Sequence, residues 1–98
     1  MYLDGCPSHA RLLPVLRALA GEYGLQLTER CIEDAAQAER TRFLGSPSVR
    51  VNGVDVEPGA ERRTDFAMSC RLYRSPDGQS GQPPEAWIRR ALDRPAAR

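Results

Sequence analysis

Tyr2-Leu3-Asp4-Gly5-Cys6-Pro7-Ser8-His9 decides how the rest of the chain is read. Tyr2 to Asp4 is a short strand candidate. Pro7 suits the first position of a helix, where a missing N–H does no harm. Apolar residues then recur at Leu12, Leu13, Leu16, Leu19, Ala20 and Tyr23, a helical stripe that Gly24 ends. Cys6 therefore stands where a strand passes into a helix. A sulfur there sits at the positive end of the helix dipole, which favours the thiolate, the form that does chemistry. Pro14 inside the helix predicts a kink, at roughly 3 kcal/mol against alanine.

Working outward, Leu25 to Ile32 reads as a second strand with Leu25, Leu27 and Cys31 on one face. Asp34 is a good N-cap for a helix from Ala35 to Leu44, closed by Gly45. Ser46-Pro47 stands directly before Ser48 to Asn52. That segment and Val54 to Val56 alternate valines around Asn52-Gly53, the strongest hairpin signal in the chain. Glu57 to Pro83 is a long connection. Its Phe66, Met68, Leu72 and Tyr73 predict that most of it packs, while Pro76 to Pro84 reads as mobile. Pro84 opens a last helix with Trp87, Ile88, Ala91 and Leu92 toward the core, and the tail frays after Asp93.

The 98 residues, 41% hydrophobic and 28% charged, fit one soluble domain, residues 1–98, with its long loop at about 57–83. A net charge of +1 points to neither a nucleic-acid nor a membrane partner. All fourteen basic residues are arginine, and the adjacent pairs Arg62-Arg63 and Arg89-Arg90 read as solvated surface. No leader or membrane span is visible. Three cysteines, an odd count, argue against a secreted disulfide scaffold, so a reducing cytoplasm is expected. The first strand barely fits before Cys6: either the natural chain is longer or the strand is short.

The element order is strand, helix, strand, helix, strand, strand, helix. With Cys6-Pro7 at the first junction, Pro14 five residues after His9, Ser46-Pro47 before the third strand and the Asn52-Gly53 hairpin, the chain resembles the thioredoxin and glutaredoxin family over nearly its whole length. The resemblance implies an α/β fold, a thioredoxin-like β-α-β-α-β-β-α order with a four-stranded mixed sheet flanked by three helices. It also implies that Pro47 is the cis proline lining the active site. The stretches Phe43 to Pro47 and Cys70 to Tyr73 resemble a group of small thioredoxin-like proteins, some named for an association with organomercurial lyases. The departure is His9, which stands where the family's Cys-x-x-Cys motif has its second, resolving cysteine.

Each candidate residue carries two readings. Cys6 is a reactive nucleophile or a small buried residue at a turn. His9 faces the sulfur, as a charge partner or proton donor, or lies in solvent without a role. Cys70 replaces the missing resolving thiol by folding back over Cys6, or packs with Phe66, Leu72 and Tyr73. Cys31 reads as buried. Ser46, Pro47 and Tyr73 are expected to contact substrate, Tyr73 by its hydroxyl, unless Pro47 is trans and Tyr73 is buried in the loop. Arg62 to Asp65 orients an anion such as glutathione or is a solvated turn.

Three functions compete. In the first, Cys6 exchanges disulfides with a protein or glutathione, needing no cofactor, and Cys70 or an external thiol releases the product. In the second, Cys6, Cys70 and His9 bind a soft metal such as mercury or copper. In the third, the fold persists without chemistry and the long loop binds a protein partner.

Overall fold

The computed structural model describes residues 1–94. The tail expected to fray after Asp93 therefore falls largely outside the described residues. Among the described residues lie three α-helices: α1 (Pro7–Glu22), α2 (Ala35–Arg40) and α3 (Glu85–Asp93). Two hairpins accompany them. One pairs β1 (Arg50–Val51) with β2 (Val54–Asp55), and the other pairs β3 (Tyr73–Ser75) with β4 (Gly78–Ser80); both are antiparallel. No helix among the described residues is long and apolar enough to cross a membrane.

The expected four-stranded mixed sheet is not formed. The two sheets are separate and two-stranded. The first two predicted strands shrink to one parallel bridge, Tyr2 to Cys31, flanked by the bonds Tyr2 N to Arg30 O (2.9 Å) and Ile32 N to Tyr2 O (2.8 Å). Met1 and Ser48 exchange one further pair of backbone bonds, at 2.7 and 2.8 Å. The reason lies in the residues. The first segment turns away at Asp4-Gly5, where Gly5 takes a φ of +77° that suits glycine. Between 25 and 32 the apolar alternation fails at Glu29, and Leu25 remains 50% exposed, so nothing compels a longer ladder.

The helices follow the sequence more closely. α1 runs unbroken through Pro14 and buries Leu12 and Leu19. Asp34 caps α2 by accepting from the Gln37 amide at 2.7 Å. α2 stops four residues short of the expected Leu44. Thr41 turns its hydroxyl back onto the Gln37 carbonyl at 2.8 Å, and Arg42 takes a φ of +56°. The chain then drives Phe43 fully into a small core with Ile32 and Ala38. The main core joins Leu12, Leu19, Val49, Val56 and Ile88, with Trp87, Ala91 and Leu92 packed against it as expected.

The long connection is structured. It holds a 3-10 turn at Ala60–Arg62 and the β3–β4 hairpin, which occupies much of the stretch expected to be mobile. Of its apolar residues, Tyr73 is fully buried, whereas Met68 and Leu72 are exposed. What fastens it is Arg71. Its guanidinium, 1% exposed, grips Asp55 through both nitrogens (2.7 and 3.0 Å) and reaches Glu57 at 3.2 Å and the Ser48 hydroxyl at 2.9 Å. It also lies 4.5 Å from the centre of the Tyr73 ring. Burial opposes the charge most strongly, but the hydrogen bonds Arg71 donates to Asp55 and the nearby charges of Asp55 and Glu57 together raise its pKa above the ordinary value.

Removing a partner from a buried ion pair strands the others without solvent, at about 3–5 kcal/mol. Arg71→Leu should therefore lower stability by about 3 kcal/mol in urea denaturation. Combining it with Asp55→Leu should recover part of that loss. A double-variant loss equal to the sum of the two single losses would show that the pair is not coupled.

Candidate functional site

Cys6 is the N-cap of α1, with Pro7 at the first helical position, and its side chain makes no hydrogen bond to the helix amides. Its amide donates to Leu3 O at 3.2 Å, closing the turn that carries the chain from bridge to helix. Only 9% of the residue is exposed. The Ser46–Pro47 peptide is cis. Ser46 and Pro47 are both buried, and the Ser46 hydroxyl accepts from the Leu3 amide at 3.0 Å. The backbone that delivers Cys6 is thus tied directly to the residue entering the cis bond.

Tyr73 meets the same peptide from the long connection. It is fully buried, and its hydroxyl donates to the Pro47 carbonyl. Tyr73 is therefore a core residue that touches the cis proline, not a cap over an open site. Burial raises its pKa well above the ordinary phenol value.

His9 is held elsewhere. Its ring stacks on Tyr2 at 4.0 Å with planes 4° apart, and Nε2 lies 3.4 Å from a Glu29 carboxylate oxygen. Glu29 is in turn 3.7 Å from Arg17. Among the described residues, no hydrogen bond joins His9 to Cys6. Cys70 is exposed and forms an isolated parallel bridge with Ser46: Ser46 N donates to Ser69 O (2.8 Å) and Arg71 N to Ser46 O (2.9 Å). Cys31 is only partly buried, where fuller burial was expected. All three cysteines are free thiols.

The structure thus links Ser46-Pro47 to the segment before Cys6 through Leu3, to Tyr73 through its hydroxyl and to Cys70 through a backbone bridge. A cleft of about 810 Å³ takes Cys70 with Glu57, Arg63, Arg71 and Trp87 into its wall, but neither Cys6 nor His9. A second, of about 340 Å³, runs between His9, Glu29 and the Pro47-Ser48 backbone. Among the described residues no group of three His, Cys, Asp or Glu side chains could hold a metal ion, so Cys6, His9 and Cys70 do not form a three-donor site. Arg63 is engaged by Glu57 at 3.1 Å and Asp65 at 2.6 Å, which leaves its fork occupied within the chain.

Sequence reasoning missed Arg71. Asp55 and Glu57 lie two residues apart and so share one face of an extended segment, a paired acidic face that calls for a cation. It also missed the Tyr2–His9 stack. No protein-family model, no curated protein and no solved structure matches the chain.

Tyr73→Phe removes the buried hydroxyl and leaves the Pro47 carbonyl without its donor, a loss of about 1–2 kcal/mol at pH 7. The alkaline limb should change in the opposite sense. Above about pH 10 an unfolded tyrosine releases its proton while the folded one keeps it, so stability falls as pH rises. Between pH 10 and 11.5 the parent chain should lose stability faster than Tyr73→Phe in urea denaturation. Parallel pH profiles would refute the burial argument.

Proposed function

We propose that the chain is a thiol–disulfide exchange protein of thioredoxin-like motif with Cys6 as its nucleophile. The observation that carries this reading is the position of Cys6: it caps a 16-residue helix, and the segment that delivers it is bonded to Ser46 of the cis Ser46–Pro47 peptide. The amide dipoles of such a helix start favour negative charge on the sulfur.

Exchange proceeds in two balanced steps. The Cys6 thiolate attacks one sulfur of a disulfide, its S–S bond breaks, and the departing thiolate takes a proton from water. Cys6 is left in a mixed disulfide with the other half. An external thiol of the glutathione type then attacks that half as a thiolate, forms a new disulfide with it and returns Cys6 as thiolate. His9, paired with Glu29, takes no part in this scheme. Cys70 is the alternative resolving group: attack on Cys6 would release the bound half as a thiol and leave a Cys6–Cys70 disulfide, which two external thiols reduce.

A second reading has a specific observation behind it. Met68 and Leu72, 39% and 48% exposed, place apolar surface on the long connection, as a partner-binding loop without chemistry would.

Incubation with glutathione disulfide followed by peptide mapping decides between them. Cys6 should carry glutathione and release it to excess thiol, and Cys6→Ser should lower the exchange rate by about 100-fold or more. Cys70→Ser should leave exchange intact when the external thiol resolves. An adduct confined to Cys70 and Cys31 would remove the enzymatic reading and leave the binding one.

A further inference from the structure

Two cavities, of about 340 and 180 Å³, share Leu16, Leu27, Val49 and Arg50 and so form one slot between residues 25–30 and β1. Met1 lies at one end of it, and Leu25 and Asn52 lie at the other.

Met1 and Tyr2 already lie between those two segments as a strand would. On one side Tyr2 pairs in parallel with Cys31, bonded to Arg30 O and Ile32 N. On the other, Met1 and Ser48 exchange both backbone bonds in the antiparallel manner. Both ladders stop there. A parallel ladder repeats every two residues, so the next groups in register toward the slot are the Thr28 carbonyl and the Arg30 amide. Among the described residues, neither has a backbone hydrogen-bond partner. On β1, Val56 N donates to Val49 O and Val51 stands opposite Val54, so Val49 and Val51 turn their backbone groups to β2. Arg50, like Ser48, therefore turns its amide and carbonyl to the slot. Two unpaired edges across such a gap are a template for one more strand.

A strand that keeps the direction of Met1 to Leu3 reaches Met1 with its C-terminal end. Met1 fills the next position, so an internal segment would have to turn aside there, whereas a chain end would not. The charge at that end suits a carboxylate. Burial, Arg50 and Arg30 together push the Met1 amine down to about 6, and the carboxylate that opposes them, Asp55, is held by Arg71. The Arg50 guanidinium donates only to the Thr41 and Arg42 carbonyls, and Arg30 is exposed. Side-chain alternation fixes which residues must be apolar. Met1 and Leu3 pack with Ile32, Ala38 and Phe43, while Tyr2 turns to His9 on α1. The last residue of an incoming strand is in phase with Tyr2 and faces α1, where Leu16 and Leu19, with Ile88 of α3, line the slot.

We infer that this slot is a docking site for the extended C-terminal segment of a partner protein, about four residues long, with apolar side chains at its last and third-from-last positions. The last residue donates its amide to the Thr28 carbonyl, and its carboxylate accepts from the Arg30 amide beside the Met1 amine. The residue before it pairs with Arg50. The site stands apart from the exchange proposed for Cys6 and does not depend on it.

The probe is the peptide acetyl-Lys-Thr-Val-Thr-Val with a free C-terminus, titrated into isotope-labelled protein and followed by NMR. It should bind with a dissociation constant below about 300 μM. The Arg30 and Arg50 amide resonances should move most, and hydrogen exchange at both should slow. Amidating the C-terminus should weaken binding by about fivefold or more. The phase-shifted peptide acetyl-Lys-Val-Thr-Val-Thr should bind about tenfold more weakly or worse. An absence of binding up to about 1 mM, shifts centred elsewhere, or equal affinity for the amidated or phase-shifted peptide would overturn the inference. Self-association of the chain that moves the same two amides and excludes the peptide would overturn it too, giving the slot to a second copy.

Discussion

The guanidinium of Arg71 is the pin on which the architecture turns. It closes a contact between the β1–β2 hairpin, which supplies Asp55 and Glu57, and the long connection, which supplies Arg71 itself. Ser48, one residue past the cis bond, hydrogen-bonds to the same group and also donates its hydroxyl to the Gly45 carbonyl at 2.6 Å. A charge held this deep is tolerated only because a bidentate carboxylate, a second carboxylate, a hydroxyl and an aromatic face all converge on it. Its Nε has no partner, the single buried side-chain nitrogen or oxygen among the described residues left so. Lysine would not substitute: a single ammonium does not span both oxygens of Asp55 while reaching Glu57 and Ser48.

With that pin in place, the absence of long strands is less puzzling. Extended ladders usually fix the relative positions of chain segments. Here the segments around Tyr2, Cys31, Ser46 and Cys70 are joined by isolated bridges, and the burial of Phe43, Ile32 and Ile88 with the Arg71 cluster fixes the rest. The order of helices and the hairpin at Asn52-Gly53 were legible because capping and turn chemistry are local: Asp34 bonds three residues ahead, and Asn52 and Gly53 both adopt the positive φ that their hairpin requires. The extent of pairing was not legible. It depends on whether both faces of residues 25–32 find something to bury, and a polar Glu29 in the apolar register meant they did not.

The site divides in the same way. Cys6 at the head of α1 and Pro47 at the start of its segment follow from neighbours in sequence, and both were visible there. The roles of His9 and Cys70 depend on which side of the chain their backbone faces, which is a matter of tertiary position. His9 turned to Tyr2 and Glu29. Cys70 turned outward beside Arg71, into the wall of the cleft of about 810 Å³. Tyr73 was expected to be buried or to cap the site with its hydroxyl; its ring is buried and its hydroxyl meets the Pro47 carbonyl.

Gly45 carries a wider consequence. At a φ of +123°, it lets the chain pass so near the 69–71 backbone that a Cβ there would lie 2.9 Å from Arg71 Cβ and 3.0 Å from Ser69 O. The long connection is therefore seated main chain against main chain, an attachment indifferent to most of its own side chains. Given a glycine on one side and the arginine on the other, the exposed surface between them is free to diverge in evolution. New recognition specificities could arise there without disturbing the scaffold that supports the thiol.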